Sequence, residues 1–255
     1  MEKTYILEQL KKRANEFYLS TKFEVFAVFA FGSVNYGLTD ENSDIDYRLV
    51  YFLPRKDFHK QGAIEGFEDE KGNYVECMDI KTFFYNISIL DLMALENLAT
   101  EYSYVNEKYS ENWLSLTRIA NEILHCNDKI FIKTFLNKVK TSSDYVEKGF
   151  GDPEILKRDG YSGKLIHYVL RFEEIWKRFE QKEDIKKIFL SSDKKLMLAL
   201  KRNLLKKDEA IMLYNTSKFK ISWYIQNYKP KKEDYPTQIL IQNIFSNIVD
   251  KYMLN

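Results

Sequence analysis

Ser43-Asp44-Ile45-Asp46 sets two carboxylates two residues apart at the head of Asp44 to Leu53, an apolar and aromatic segment closed by Pro54 that predicts a strand. Side chains alternate across a strand, so Asp44 and Asp46 are expected on one face. Carboxylates held that close repel unless a cation lies between them. Hard oxygen ligands suit Mg²⁺, which keeps some waters and binds substrate phosphates as well. Phe31-Gly32-Ser33 ends the preceding apolar run. Glycine lets a phosphate approach the backbone, and Ser33 offers an N–H and a hydroxyl. A phosphate cradle beside an acidic metal site equips a chain for phosphoryl or nucleotidyl transfer.

The elements around these residues follow from patterning. Ile6, Leu7, Leu10, Ala14 and Phe17 predict an amphipathic helix over 4–19. Phe23 to Phe31 predicts a buried strand, and Gly32 to Ser43 a loop with turn chemistry from Asn35, Gly37, Asp40 and Asn42. Residues 60–73 are polar and predict a loop, and Tyr74 to Ile80 a third strand. Helical periodicity then runs through Phe83–Leu98, Trp113–Leu124, Ile130–Val139, Ser162–Phe179, Leu196–Leu205 and Ile239–Met253. The order predicts an α+β fold: a mixed sheet with helices over 1–125, then an α-helical domain over 126–255, with the active site in the cleft between them.

Gly-Ser, three residues, Gly, five residues and Ser-Asp-x-Asp resembles the nucleotidyltransferase signature of the DNA polymerase β superfamily. The resemblance implies a third carboxylate on a later strand, flanked by apolar residues. Asp79 and Glu76 are the candidates, and being three apart they face opposite ways in a strand. Asp79, at the strand end before Lys81-Thr82-Phe83-Phe84, is taken as the third acid, leaving Glu76 as a solvent-facing residue.

Asn35-Tyr36-Gly37-Leu38 after Gly32-Ser33 is similar to a variant found in the RNA-repair-pathway polymerase-β-type nucleotidyltransferases of bacteria and phages. Asp79-Ile80-Lys81-Thr82-Phe83 and Leu95-Glu96-Asn97-Leu98 resemble that family's third-carboxylate strand and following helix. Lys164, His167 and Arg171 resemble its K-x-x-H-x-x-x-R helix. Arg202 and Glu209 are similar to a late segment in which Leu204 replaces the usual Gly. The resemblance spans about residues 23 to 210. It implies transfer of an NMP from an NTP to an acceptor hydroxyl with Mg²⁺ or Mn²⁺, the acceptor being RNA (a tRNA or a damaged end). Asp44, Asp46 and Asp79 would hold the metals, and Gly32, Ser33 and Ser43 would meet the nucleotide. It also implies a phosphate contact for Lys164. Other readings are transfer to a protein or small molecule, and a nucleotide-binding or antitoxin module without turnover.

Lys164, His167 and Arg171 share one helical face by spacing and would close over a triphosphate; a solvated stripe pairing with Glu173 or Glu174 is the alternative. Arg48 lies two beyond Asp46, on the same face, and is expected to pair with a carboxylate. Tyr36 is expected to pack in its turn, and Trp113, Trp176 and Trp223 to be core. The turn Lys229-Pro230-Lys231-Lys232 and the Lys-rich 182–232 stretch predict a solvated face.

Composition bounds these readings. The chain has 255 residues, 45% hydrophobic and 30% charged, with net charge +1, so no global field points to a polyanion. Its 18 Tyr and 18 Phe stand against 9 Gly and 4 Pro, a mix that AT-rich codons favour, so the aromatics alone do not indicate base stacking. Val25 to Phe31 falls far short of the ~20 residues that cross a bilayer. Met1-Glu2-Lys3-Thr4 lacks a signal-peptide layout, and Cys77 and Cys126 form no metal or disulfide framework, so a cytoplasmic protein is expected. Oligomeric state has no sequence signal.

Overall fold

The computed structural model describes residues 2–39, 43–60, 62, 64–69, 73–231 and 233–254. Asp40 and Asn42 of the expected turn, and Lys232 of the basic turn, lie outside them. The fold is α+β, and the chain divides into two compact units.

The first unit comprises Met1–Asn127 and Lys232–Asn255. Its elements are α1 (Lys3–Thr21), β1 (Val25–Ala30), α2 (Ser33–Tyr36), β2 (Tyr47–Tyr51), β3 (Glu65–Glu68), β4 (Tyr74–Asp79), α3 (Ile80–Ser88), α4 (Leu92–Ala99), β5 (Ser103–Val105), α5 (Ser110–Arg118) and α6 (Ala120–His125). The five strands form one sheet in the order β3-β4-β2-β1-β5. Among the described residues only the β2/β4 pairing is parallel, with Tyr47 opposite Val75 and Tyr51 opposite Asp79.

Both faces of the sheet are covered, which is why β1 is apolar throughout and every residue of it is buried. Ile6, Leu10 and Ala14 of α1 pack on the face of Val28, Ala30, Tyr47, Leu49, Val75 and Cys77. The opposite face carries an aromatic core: Phe29 stacks on Phe83 at 5.8 Å, and Phe26 lies 5.7 Å from Tyr109 and 6.2 Å from Trp113. The aromatic surplus in the sequence fills this layer.

The second unit, Asp128–Lys231, is helical. It holds α7 (Asp128–Glu147), α8 (Pro153–Asp159), α9 (Gly163–Glu180), α10 (Ile185–Ile188), α11 (Lys194–Lys201) and α12 (Lys207–Asn227). Phe131, Phe135, Trp176 and Phe179 form its centre, with Phe131 stacked on Phe179 at 4.0 Å.

Several expectations differ from the structure. The last helix, α13 (Tyr235–Leu254), returns to the first unit, so the division does not fall in a single cut at 125/126. Tyr252 stacks on Phe52 at 4.3 Å, and its hydroxyl donates to the Leu53 carbonyl at 2.8 Å. The stretch 60–73 contains β3, an edge strand whose two Glu and one Gly hide its alternation. The expected Phe83–Leu98 helix breaks at Leu90, where φ is 52°, and Asp91 caps α4 by accepting the Met93 N–H at 2.9 Å. Trp223 is 53% exposed on α12 rather than core, whereas Trp176 is fully buried.

Candidate active site

The site is built at the end of β1. Gly32 has φ 74° and ψ −136°, a conformation that suits glycine. A Cβ there would stand 3.3 Å from the Asp46 Oδ2, so the Gly32 backbone lies directly against that carboxylate. Ser33 then opens α2, a single helical turn in place of the expected loop, closed by Gly37 at φ 67° and by the Leu38 N–H on the Ser33 carbonyl at 2.9 Å.

Asp44 and Asp46 lie in the segment that leads into β2, since the strand itself begins at Tyr47. The strand argument for a shared face therefore applies only from Tyr47 onward. Asp46 is half-buried and anchored: its Oδ1 accepts the Tyr74 N–H at 3.1 Å, and its carbonyl accepts the Phe31 N–H at 3.0 Å. These bonds tie the Gly-Ser loop, the acid and the head of β4 into one corner. Asp44 is exposed, and with Ser43 it lines a hollow of about 130 Å³ shared with Tyr5, Gln9 and Arg13 of α1.

Asp79 does not join them. It lies five residues beyond Tyr74, the residue that holds Asp46, or roughly 16 Å along β4 at ~3.3 Å per residue. It also alternates onto the face of Val75 and Cys77, which α1 covers. Its fully buried carboxylate caps α3, accepting the Lys81 N–H at 2.9 Å, the Thr82 N–H at 3.3 Å and the Thr82 hydroxyl at 2.6 Å. Asp79→Ala is expected to cost about 1–2 kcal/mol in chemical denaturation as a lost cap. Nucleotide transfer below the melting transition is expected to stay near wild type. A folded Asp79→Ala protein without transfer would place Asp79 in the chemistry after all.

Glu76 is not solvent-facing: it is 5% exposed and stands beside Arg48 in the parallel register. Arg48 Nε donates to Glu76 Oε1 at 2.5 Å. Its Nη1 donates to Asn97 Oδ1 at 2.7 Å and to the Met93 carbonyl at 3.0 Å. The guanidinium also lies 4.6 Å from the Phe31 ring centroid. The expected Arg48 ion pair is present, and its partner is the acid that alternation places on the Asp46 side of the sheet.

Sequence reasoning named Glu96 only within a motif. This buried carboxylate on α4 accepts the Gly32 N–H and the Asn35 Nδ2 at 3.0 Å each on Oε1, and the Tyr36 hydroxyl at 3.2 Å on Oε2. Tyr36 is accordingly packed in its turn. The signal was present, since Glu96-Asn97 interrupts an otherwise apolar helix with two polar side chains that are both buried.

The cationic stripe on α9, in the second unit, separates by burial. Lys164 is exposed and lines a pocket of about 590 Å³ with Lys201, Tyr145, Phe150 and Asn203. His167 and Arg171 are 4% and 5% exposed. They are buried because their face of α9 is the packed one: at its start, a Cβ on Gly163 would strike the Leu200 carbonyl of α11. Glu173 on the same helix is buried too, and pairs with Lys177 at 2.6 Å and accepts the Ser217 hydroxyl at 2.6 Å.

Burial, with Arg171 adding repulsion, pulls the His167 pKa down to about 3, so the ring is neutral at pH 7 and is no phosphate-binding cation. Unfolded His167 takes a proton near pH 6.5, folded His167 only near 3, so the unfolded chain binds more protons between those values. The stability due to neutral His167 is complete above pH 6.5 and drains as pH falls. From pH 7 to 5, wild type is expected to lose about 2 kcal/mol more than His167→Leu in urea titrations. Equal losses would refute the neutral buried ring.

Among the described residues no group of three or more His, Cys, Asp or Glu side chains is set to hold a metal ion. The donor set of Asp44 and Asp46 fits a hard cation that completes its shell with water and phosphate oxygens. The Gly-Ser turn thus lies against the Asp-x-Asp segment at one end of the sheet. Residues 7–96 match the family model described as Nucleotidyltransferase domain, a span running from α1 to Glu96. That domain supports nucleotidyltransferase activity in general. No match is found among curated proteins.

Proposed function

We propose that this protein is a metal-dependent nucleotidyltransferase that moves an NMP from an NTP to an acceptor hydroxyl on RNA, as the resemblance to RNA-repair nucleotidyltransferases implies. The observation that carries the transfer reading is the contact of the Gly32 backbone with the Asp46 carboxylate, which joins a phosphate-accommodating turn to an acid.

Asp44 and Asp46 would hold Mg²⁺ or Mn²⁺, which when bound screens phosphate charge and acidifies an acceptor hydroxyl. Gly32 would admit a phosphate close to the backbone because it has no Cβ, and the family resemblance implies that Ser33 and Ser43 also meet the nucleotide. Tyr74 fixes one Asp46 oxygen through its N–H, which orients the other toward Gly32. Lys164 is exposed on α9 of the second unit, and His167 and Arg171 support that helix from within the same unit. Among the described residues no helix is long and apolar enough to cross a membrane.

The test is incubation with each of four α-labelled NTPs, Mg²⁺ or Mn²⁺, and separate RNA, protein and small-molecule acceptor pools, scoring label and pyrophosphate. RNA labelling with pyrophosphate release is expected. Label on protein or small molecules would change the acceptor; NTP binding without pyrophosphate would indicate the non-catalytic module.

A further inference from the structure

Glu96 makes contacts that neither packing nor metal binding explains. Its carboxylate gathers three donors, all from the turn after β1: Gly32 N–H, Asn35 Nδ2 and Tyr36 hydroxyl. Asn35 is fixed from two further directions, donating to the Ala30 carbonyl at 3.0 Å and accepting the Thr100 hydroxyl at 2.6 Å. Gly32 is thus held on its N–H side by Glu96 while its Cα side lies against Asp46. The next residue on α4, Asn97, holds Arg48 two residues beyond Asp46. One buried helix therefore grips both the turn and β2, the strand that follows the acid.

A buried carboxylate is costly unless its oxygens are satisfied, and here the satisfying donors all belong to the turn. The turn is thereby fixed to α4 by a buried carboxyl group rather than by its own short helix. We infer that Glu96 is a positioning residue that sets the distance between the Gly-Ser turn and Asp46, and so the seat of the nucleotide's phosphates. This rests on the nucleotidyltransferase reading above. Displacing such a group by ~1 Å can cost up to ~100-fold.

The test uses the full chain and compares wild type, Glu96→Ala and Glu96→Gln. Glutamine keeps an acceptor for Gly32 and Asn35 and offers an N–H to the Tyr36 oxygen. The readouts are KM for NTP, KM for acceptor, and inhibition by inorganic tripolyphosphate, which reports phosphate contacts alone. Glu96→Ala is expected to raise the KM for NTP and the tripolyphosphate Ki about 10-fold or more, with the acceptor KM unchanged. Glu96→Gln is expected to restore both to within about 3-fold of wild type.

A folded Glu96→Ala protein with wild-type values overturns the inference, as does a loss in which both KM values rise together. If Glu96→Ala fails to fold, Tyr36→Phe and Thr100→Val decide: each removes one bond of the clamp and is expected to raise the Ki about 2- to 5-fold, and no change in either overturns it. A wild-type protein that neither binds NTP nor transfers label defeats the nucleotidyltransferase reading itself, an outcome distinct from all of these.

Discussion

Asp46→Asn is expected to lower nucleotide transfer about 1,000-fold while leaving the fold intact. The amide keeps an acceptor for the Tyr74 N–H, so the tie between the Asp46 corner and β4 survives. What disappears is a negative charge beside the Gly32 backbone. If a divalent cation is held there, about 4 kcal/mol of transition-state charge stabilisation goes with it, and each 1.36 kcal/mol is a factor of ten in rate. Asp44→Asn is expected to act in the same direction with no effect on folding, since Asp44 is exposed. The measurement is single-turnover label transfer at saturating NTP, with a denaturation curve to show that each variant is folded. Undiminished transfer by a folded Asp46→Asn protein would remove Asp46 from the chemistry, and the assigned site with it.

That corner was legible in the sequence because its chemistry depends on residue type and spacing. Gly32 and Asp46, which the structure brings together, lie within 15 positions of one another, and a short chain segment has few ways to separate them. The sheet was legible for a related reason: β1 is buried on both faces and appears as a continuous apolar run, while β2 and β4 keep apolar and aromatic residues around the buried Arg48, Glu76 and Asp79. The third acid was not legible. Asp79 and Glu76 are indistinguishable by flanking residues, and the choice needs the parallel register, which sets Glu76 beside Arg48 and Asp79 beside Tyr51. Asp79 also stood two residues before Lys81-Thr82, the spacing of a helix cap, and that local signal describes what it does.

Long-range partners were the other blind spot. Glu96 and Gly32 are 64 positions apart, and nothing local in either segment announces the contact. The return of α13 to the first unit is hidden in the same way, because a helix records which face is apolar but not which surface covers it. On α9, spacing sets Lys164, His167 and Arg171 on one face, but it cannot say that Lys164 is exposed while His167 and Arg171 are buried.

Arg48→Met is expected to cost about 3–5 kcal/mol of folding stability. Arg48 is 1% exposed, and three acceptors converge on its guanidinium: Glu76, Asn97 and the Met93 carbonyl. Methionine fills much of the same apolar volume against Phe31 but donates nothing. Glu76 would then be an uncompensated buried carboxylate, and the Asn97 Oδ1, in a fully buried side chain, would lose its donor. The desolvation of Glu76 dominates, so removing that charge as well should relieve most of the penalty. Arg48→Met/Glu76→Met is therefore expected to be more stable than Arg48→Met alone, because exchanging a buried pair for apolar groups of similar size is often nearly neutral. Guanidinium denaturation of wild type, both single variants and the double variant measures the coupling. A double variant no more stable than Arg48→Met would mean that Arg48 stabilises the sheet through Asn97 and Phe31 rather than through Glu76.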